Sequence, residues 1–460
     1  MSSQGGPTLT FYGGVGEIGG NIIEIRDGSC SIFLDFGKNF ERERRYFDEP
    51  YLSPREIKHL LALGLLPDLP GLYKGQSQDH EVSAILLSHP HMDHVDYARY
   101  VKDEIPILSS QVTRDAVLAR EYSSTQSRVE YRMGRVTKPK GTVELVKQPV
   151  KTFRVLDPCA RSAVGGLEVE AWPVDHSAPG ACGFIVHTSA GAVVYTGDFR
   201  MHGTRPEETE RFLARGREVN PAALVVEGTN IASGRLASEK EVAERIEAIV
   251  RRTGGLVLAG VSSIDTTRLA TLYTAARGAG RKLVISMKQA FLLLELGQEA
   301  PFLPVDDNVR VFRREKSTEY EWEKHVQLSG AQVLTAYDVA SAQGELLMIC
   351  SFYDMNETVE IRPSAGSIYV LSQSEPFNEE MEIDFDKLLN WLERWGVPLY
   401  MVHASGHALP LDLKEAISTV GAKQVFLIHT DRPRLYERFL GDITGCTFTC
   451  PEVGQAYPLS

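Results

Sequence analysis

Cysteine is scarce in this chain and scattered. Cys30, Cys159, Cys182, Cys350, Cys446 and Cys450 are spread over 460 residues, and only the last two are close together. That spacing excludes a disulfide framework and reads as reduced, structural thiols; a lone C-x3-C pair with no second pair nearby is weak ground for a metal site. Long apolar runs are missing too. The nearest approach, Leu60 to Leu66, falls far short of the roughly 20 residues that cross a bilayer, so a membrane span is excluded. The N terminus lacks a basic-then-apolar leader, and a cytoplasmic location is expected. There is no internal repeat and no low-complexity segment. Positive charge is in deficit, with 49 Lys and Arg against 61 Asp and Glu and a formal net charge of −12, which speaks against a uniformly polyanion-binding surface.

Charge distribution qualifies that sum. Arg128, Arg132, Arg135, Lys138, Lys140, Lys147 and Lys151 meet only Glu130 and Glu144 in their stretch, and Arg310, Arg313, Arg314 and Lys316 form a second basic cluster. Each reads either as a solvated face or as a phosphate contact.

What is present is enough apolar residue, 43% of the chain, to fill more than one core. Strand-like segments alternate with turns from Thr8 onward. Ser53-Pro54-Arg55-Glu56 reads as the start of a helix running to Leu63, with Ser53 as N-cap and Pro54 at the first helical position. After Asn230 the pattern changes: helical segments (Glu239 to Arg252, Asp265 to Arg277) alternate with apolar β-runs (Gly255 to Ala259, Lys282 to Ile285, Leu346 to Ile349, Ser367 to Leu371). This is the pattern of a parallel α/β unit inserted into another domain. The expected division is a disordered tail over 1–7, a first domain over 8–230, an insert over 231–400, and a return to the first domain over 401–460.

The chemistry is concentrated after the run Val82 to Leu87. Ser88-His89-Pro90-His91-Met92-Asp93-His94 packs three imidazoles and a carboxylate into a loop at a strand end, a donor set that suits zinc. His176, Asp198 and His429 also follow strand-like runs, as do His403, Ser405 and His407 in a Gly-containing motif. The segment from Gly13 to Gly20 is followed by a strand pattern rather than a helix, so it is read as a turn that lets backbone pass close to the site, not as a dinucleotide loop.

The ordered series His89-x-His91-x-Asp93-His94, His176 and Asp198, with Asp35 in Leu34-Asp35-Phe36-Gly37, resembles the metallo-β-lactamase superfamily. Glu227, the motif Ser405-Gly406-His407-Ala408 and the late His429 narrow the resemblance to its β-CASP group, and the Gly run, Asp175-His176-Ser177 and Thr196-Gly197-Asp198-Phe199 are most similar to the ribonuclease J family. The resemblance implies an α/β fold, an αββα sandwich with an inserted parallel α/β β-CASP domain. It also implies two Zn2+, with Mn2+ as an alternative, held by His89, His91 and His176 and by Asp93, His94 and His429, with Asp198 bridging. Asp93 and His407 are the implied catalytic groups, Asp93 orienting the nucleophile and His407 contacting the scissile phosphate or protonating the leaving oxygen.

Asp35 is an implied outer support, and Glu227 is expected to support a ligand histidine. His403 and Ser405 are expected either as phosphate donors or as supports. Ser262 and Ser263 are expected either to grip RNA phosphate or to be plain helix caps. The implied substrate is single-stranded RNA, cut internally or from the 5′ end, by a possible homodimer. Competing readings are a small-ester or thioester hydrolase of the same fold and a non-catalytic RNA-binding subunit.

Three departures from the family pattern stand out. The usual linker and C-terminal domain are not expected within these residues. Asp96-Tyr97 replaces a Gly-Gly pair and is expected to reshape the site's rim. Cys350 to Glu357 replaces a Gly-Ser-Gln-Gly-Glu loop.

Overall fold

A computed structural model of the chain describes residues 6–48, 51–78, 80–124, 133–137, 146–149, 151–232, 234, 237–373 and 379–459. Two seven-stranded sheets stack face to face. In one, Ala456–Pro458 pairs with Thr8–Gly13, followed across the sheet by Ile22–Asp27, Cys30–Phe36, Ala84–Leu86, Ile107–Ser109 and Phe153–Val155. In the other the order is Thr447–Thr449, Gln424–Leu427, Ala223–Val226, Gly191–Tyr195, Cys182–Thr188, Leu167–Pro173 and Arg161–Val164.

The period-2 alternation of the strands decides what each face buries. Ile32 and Leu34 point between the sheets, where they meet Phe184, Val193 and Val225 of the facing sheet, while Phe33 and Phe36 point outward against Leu60, Leu66 and Tyr97. On the far side Ile185, Val194 and Leu224 are covered by Phe212 of helix Pro206–Glu218 and by Leu413 and Ile417 of helix Pro410–Val420. The result is the layer order helix, sheet, sheet, helix. Each large apolar side chain withdrawn from water in these layers contributes about 1.5–3 kcal/mol.

A third seven-stranded sheet, all parallel, is built only from strands between Val257 and Met401. Both of its faces are covered, one by helices Glu239–Arg252, Thr266–Gly278 and Met287–Leu296, the other by Leu388 and Leu392 of helix Glu379–Trp395. That is why its strands are apolar on both sides. The strands that flank this unit in sequence, Ala223–Val226 and Gln424–Leu427, lie side by side in parallel.

Four expectations need correction. The helix expected from Ser53 begins at Ile57, because Glu56, its N-cap, is extended with φ −145° and ψ 154° and its side chain makes no cap hydrogen bond. The residues 1–5 of the expected disordered tail lie outside the described residues; Pro7 is ordered, its carbonyl accepting from Leu459 N at 2.9 Å. Ser262 and Ser263 are not helix caps, since Asp265 caps Thr266–Gly278 through its side chain.

The fourth concerns the first basic run. Arg128, Arg132, Lys138 and Lys140, with Glu130 and Glu144, lie outside the described residues. Lys151 is buried, and its ammonium donates to the carbonyls of Val101 and Lys102 at 2.6 and 3.0 Å, so it is a packing residue and no phosphate contact.

All six cysteines are free. Burial pushes the Cys182 and Cys350 thiols up to about 12, whereas Cys159 is exposed. Since the thiolate is the reactive form, a thiol reagent at neutral pH is expected to label Cys159 readily and to reach Cys182 and Cys350 only after denaturation. Peptide mapping of the labelled chain checks this.

Candidate metal centre

One edge of the stacked sheets collects the candidate side chains. The parallel strands Gly191–Tyr195, Ala223–Val226 and Gln424–Leu427 run out toward Asp198, Glu227 and His429, respectively. In the facing sheet, Cys30–Phe36 and the parallel Ala84–Leu86 lead to Asp35 and to the loop Ser88–His94. Chain reversal at these ends is tight enough that Asp35 and His429 adopt positive φ, 55° and 52°, which L residues take only under constraint.

The Gly run passes against this loop as its composition suggests. Gly20 N and Asn21 N donate to Asp93 O at 3.0 and 3.1 Å, and a Cβ on Gly19, whose φ is +78°, would stand 2.8 Å from Asp93 Cβ. Gly19→Ala is therefore expected to displace the Asp93 carboxylate and lower metal occupancy while the fold persists, as metal analysis beside circular dichroism would show.

Ligand-type atoms converge in three overlapping groups, one of them Asp198, Glu227, His407 and His429. His89, His91, His176 and Asp198 offer atoms all within 4.8 Å of one another, and so do Asp93, His94 and His429. His89 Nε2 and His176 Nε2 stand 3.0 and 3.1 Å from His91 Nδ1. Asp198 Oδ2 is 3.1 Å from His94 Nε2, 3.6 Å from His89 Nε2 and 3.8 Å from His429 Nε2. Asp93 Oδ2 is 3.4 Å from His429 Nε2.

A second set of contacts fixes which nitrogen each ring turns inward. His89 Nδ1 faces Ser88 Oγ at 3.0 Å, His94 Nδ1 faces Asp35 Oδ2 at 2.7 Å, His176 Nδ1 faces Gly406 O at 2.6 Å, and His429 Nδ1 faces Thr229 Oγ1 at 2.8 Å. Such outer partners orient ligand imidazoles in metal sites. Asp35 itself accepts from Ser88 N, Ser88 Oγ and Tyr195 OH at 2.7, 2.8 and 2.6 Å.

The donor set fits divalent metal. Burial holds the His89 and His176 rings well below the usual imidazole range and brings His91 to about 4, so their lone pairs stay free. Burial acts to raise the Asp93 and Asp198 carboxyls, but the surrounding imidazoles outweigh it and hold both ionised. Asp198, Asp35 and Asp93 overcome burial at His94 and push it well above its ordinary value. That same negative field attracts a cation. Asp198 Oδ1 is buried and has no hydrogen-bond partner, as an oxygen reserved for a metal would be.

His407 stands at the edge of the cluster, grouped with Asp198, Glu227 and His429. Its Nδ1 is 3.2 Å from each oxygen of Glu227 and 3.7 Å from Asp198 Oδ2. Burial opposes its charge, yet Glu227 and Asp198 push it up to about 9. Glu227, expected behind a ligand histidine, instead serves His407, and it also accepts from Phe199 N and Thr229 N at 3.3 and 3.1 Å. Ser405 is committed to internal bonds: its hydroxyl accepts from Asn230 Nδ2 and His407 N at 2.9 and 3.2 Å. His403 is half-buried, and burial followed by the Arg268 charge lowers it to about 4.

Ser262 and Ser263 are exposed, and Ser263 faces a cavity of about 220 Å³ shared with Met92, Arg120 and Lys288, beside the ligand loop. Asp96 and Tyr97 do not form a rim. Both are buried, Asp96 against Arg99 and Tyr97 through a 2.7 Å bond to Glu43. Two of the four cations of the second basic cluster are ion-paired. Lys316 pairs with Glu323 at 2.6 Å, and Arg314 pairs with Asp354, which belongs to the replaced loop.

Sequence reasoning missed Tyr195, Thr229 and Asn230 as supports. Tyr195 and Thr229 carried one usable signal, adjacency to a candidate residue at a strand end.

Residues 65–229 match the family described as Beta-lactamase superfamily domain. Ribonuclease J of Mycobacterium tuberculosis (strain ATCC 25618 / H37Rv) is 24% identical over 446 residues, covering 93% of this chain and 69% of the relative. Ribonuclease J of Thermus thermophilus is 24% identical over 436 residues, covering 90% and 67%, and that of Sinorhizobium meliloti is 25% identical over 442 residues, covering 92% and 68%. A crystal structure of a protein of unknown function from Enterococcus faecalis V583 shares the fold, with a TM-score of 0.76, 22% identity, and coverage of 98% of this chain and 99% of that one. Beside the ligand-type cluster at the sheet edge, these likenesses show a beta-lactamase superfamily domain over residues 65–229 and a similarity to ribonuclease J over nine-tenths of the chain.

Proposed function

We propose that the chain is a metal-dependent ribonuclease that hydrolyses phosphodiester bonds of single-stranded RNA. The observation that carries this reading is His407, held on Glu227 beside a seven-residue ligand cluster, together with ribonuclease J likeness over nine-tenths of the chain. In this reading His89, His91 and His176 would hold one Zn2+, Asp93, His94 and His429 the other, and Asp198 would touch both, with Mn2+ the alternative at the carboxylate-rich position. A bound metal pair supplies charge neutralisation for the phosphate and lowers the pKa of water enough to give a nucleophile near neutral pH.

The chain's own residues do the rest. Asp93 turns its carboxylate toward the cluster from the loop fixed by Gly20 and Asn21, where it can orient the attacking water. His407 is bound through Nδ1, which leaves Nε2 as the atom to protonate the leaving ribose oxygen. Thr229 and Ser88 keep the ligand rings from rotating.

Residues 231–400 would be the inserted β-CASP unit, with the boundary moved just past Met401 so that strand Leu399–Met401 stays with its sheet. An unpaired strand would enter by the cleft between the two units, where Ser263 and Met92 share a cavity with the cations of Arg120 and Lys288. A cytoplasmic location belongs to this reading, as does a homodimer, which light scattering on the purified chain would test. The competing small-ester reading is tested by offering the zinc-loaded chain RNA, a thioester and a lactone in parallel. Hydrolysis of RNA alone supports the nuclease, and turnover of an ester with RNA left intact overturns it.

A further inference from the structure

Behind the cluster lies a buried chain of charges that the chemistry above does not use. Asp175, the neighbour of His176, accepts from Arg200 Nε at 2.8 Å. Arg200 Nη1 reaches Glu239 Oε1 at 2.7 Å, and the same oxygen accepts from Arg268 Nη2 at 2.7 Å. None of the four side chains is more than 1% exposed. Two belong to the stacked sheets' loops, and two to helices Glu239–Arg252 and Thr266–Gly278 that cover the third sheet.

The far ends of this chain grip the segment that carries His407. Arg268 Nη1 holds Ser372 Oγ and, at 3.4 Å, the carbonyl of Val402, to which Ser372 Oγ also donates at 2.5 Å. Ser405 O accepts from Arg200 Nη1 and His202 Nε2 at 3.3 and 3.0 Å. Gly406 O lies on His176 Nδ1 at 2.6 Å. The backbone leading into His407 is therefore held at three successive points, two of them by the arginines that share Glu239.

We infer that Glu239 is a positioning residue, which through Arg200 and Arg268 sets the path of Val402–Gly406 and so aims His407 at the metal cluster. The inference rests on the ribonuclease reading. One carboxylate oxygen carries both guanidinium contacts, while Glu239 Oε2, Arg200 Nη2 and Arg268 Nε have no hydrogen-bond partner, so the joint has no redundancy. Neutralising Glu239 takes away the one carboxylate that bonds both guanidinium groups and leaves the two buried cations to Asp175 and the nearby buried Asp265, a loss that buried ion groups tolerate poorly. An apolar seam would join the two units as firmly, but only directed bonds fix the register of a carbonyl.

The test compares the full-length parent, Glu239→Gln and Glu239→Gln/Arg268→Met, each metal-loaded. Hydrogen exchange is read over 402–407 and over 84–95, with metal content, kcat and KM on single-stranded RNA. Glu239→Gln is expected to speed exchange over 402–407 at least ten-fold with 84–95 unchanged. It should also keep its metal, and lower kcat at least ten-fold with KM within about two-fold. The double variant, which removes the uncompensated cation but also the Arg268 contact to Val402, should regain thermal stability while kcat and exchange over 402–407 stay at the Glu239→Gln level. Unchanged exchange and kcat in a folded Glu239→Gln overturn the inference, as does a kcat loss that tracks loss of metal. If the parent cleaves no RNA, the exchange pattern still decides whether the joint exists, and only the ribonuclease reading falls.

Discussion

Asp198→Ala should abolish RNA cleavage, by at least a thousand-fold, and should cost the chain metal at both positions rather than one. Its carboxylate stands between the ligand groups, within 3.1 to 3.8 Å of His94, His89 and His429. Removing it leaves the imidazoles facing one another without the negative charge that draws cations in. In the metal-free chain the variant should also be less stable, because the imidazoles that hold this carboxylate ionised lose their partner and the buried His94 loses the charge that chiefly keeps it protonated. Metal analysis and thermal unfolding, with and without added Zn2+, measure both effects. A variant that kept two metals and activity would remove Asp198 from the site.

His407→Ala should separate chemistry from metal binding. The ring contacts Glu227 rather than the ligand nitrogens, so both metals should stay, and the fold should survive because the ring sits at the mouth of the cluster with 21% of its side chain exposed. Loss of a positioned general acid typically slows a reaction about 10²–10⁴-fold, and the expected fall in kcat lies in that range. An RNA analogue with a sulfur leaving atom, which departs without a proton, should recover much of it. Equal loss on both substrates would assign His407 to binding instead.

The ligand candidates were legible because each stands at the end of an apolar strand within a short motif, and the sheet brings such ends together without needing any knowledge of which strand neighbours which. Asp35 was legible for the same reason. What the motifs did not carry was pairing over distance. Tyr195 reaches Asp35 across 160 positions and Thr229 reaches His429 across 200, and their closeness in sequence to a candidate residue does not say which distant partner each meets. The network of Asp175, Arg200, Glu239 and Arg268 was invisible for a further reason: charged residues at a helix start read as solvated, and only packing between the two units withdraws them from water. Lys151 misled in the same direction, a basic residue in a basic run that proves to cap backbone carbonyls. The early helix was placed too soon because Pro54 and Ser53 make a good local start, whereas the backbone is still extended at Glu56.

The most direct measurement follows product lengths from a single-stranded RNA labelled at its 5′ end, incubated with the zinc-loaded chain and with chain stripped by a chelator. The account predicts cleavage that needs the metal, appearing as mononucleotides if the chain degrades from the 5′ end and as internal fragments if it cuts within the strand. RNA left intact by a chain that demonstrably holds its metals would contradict it.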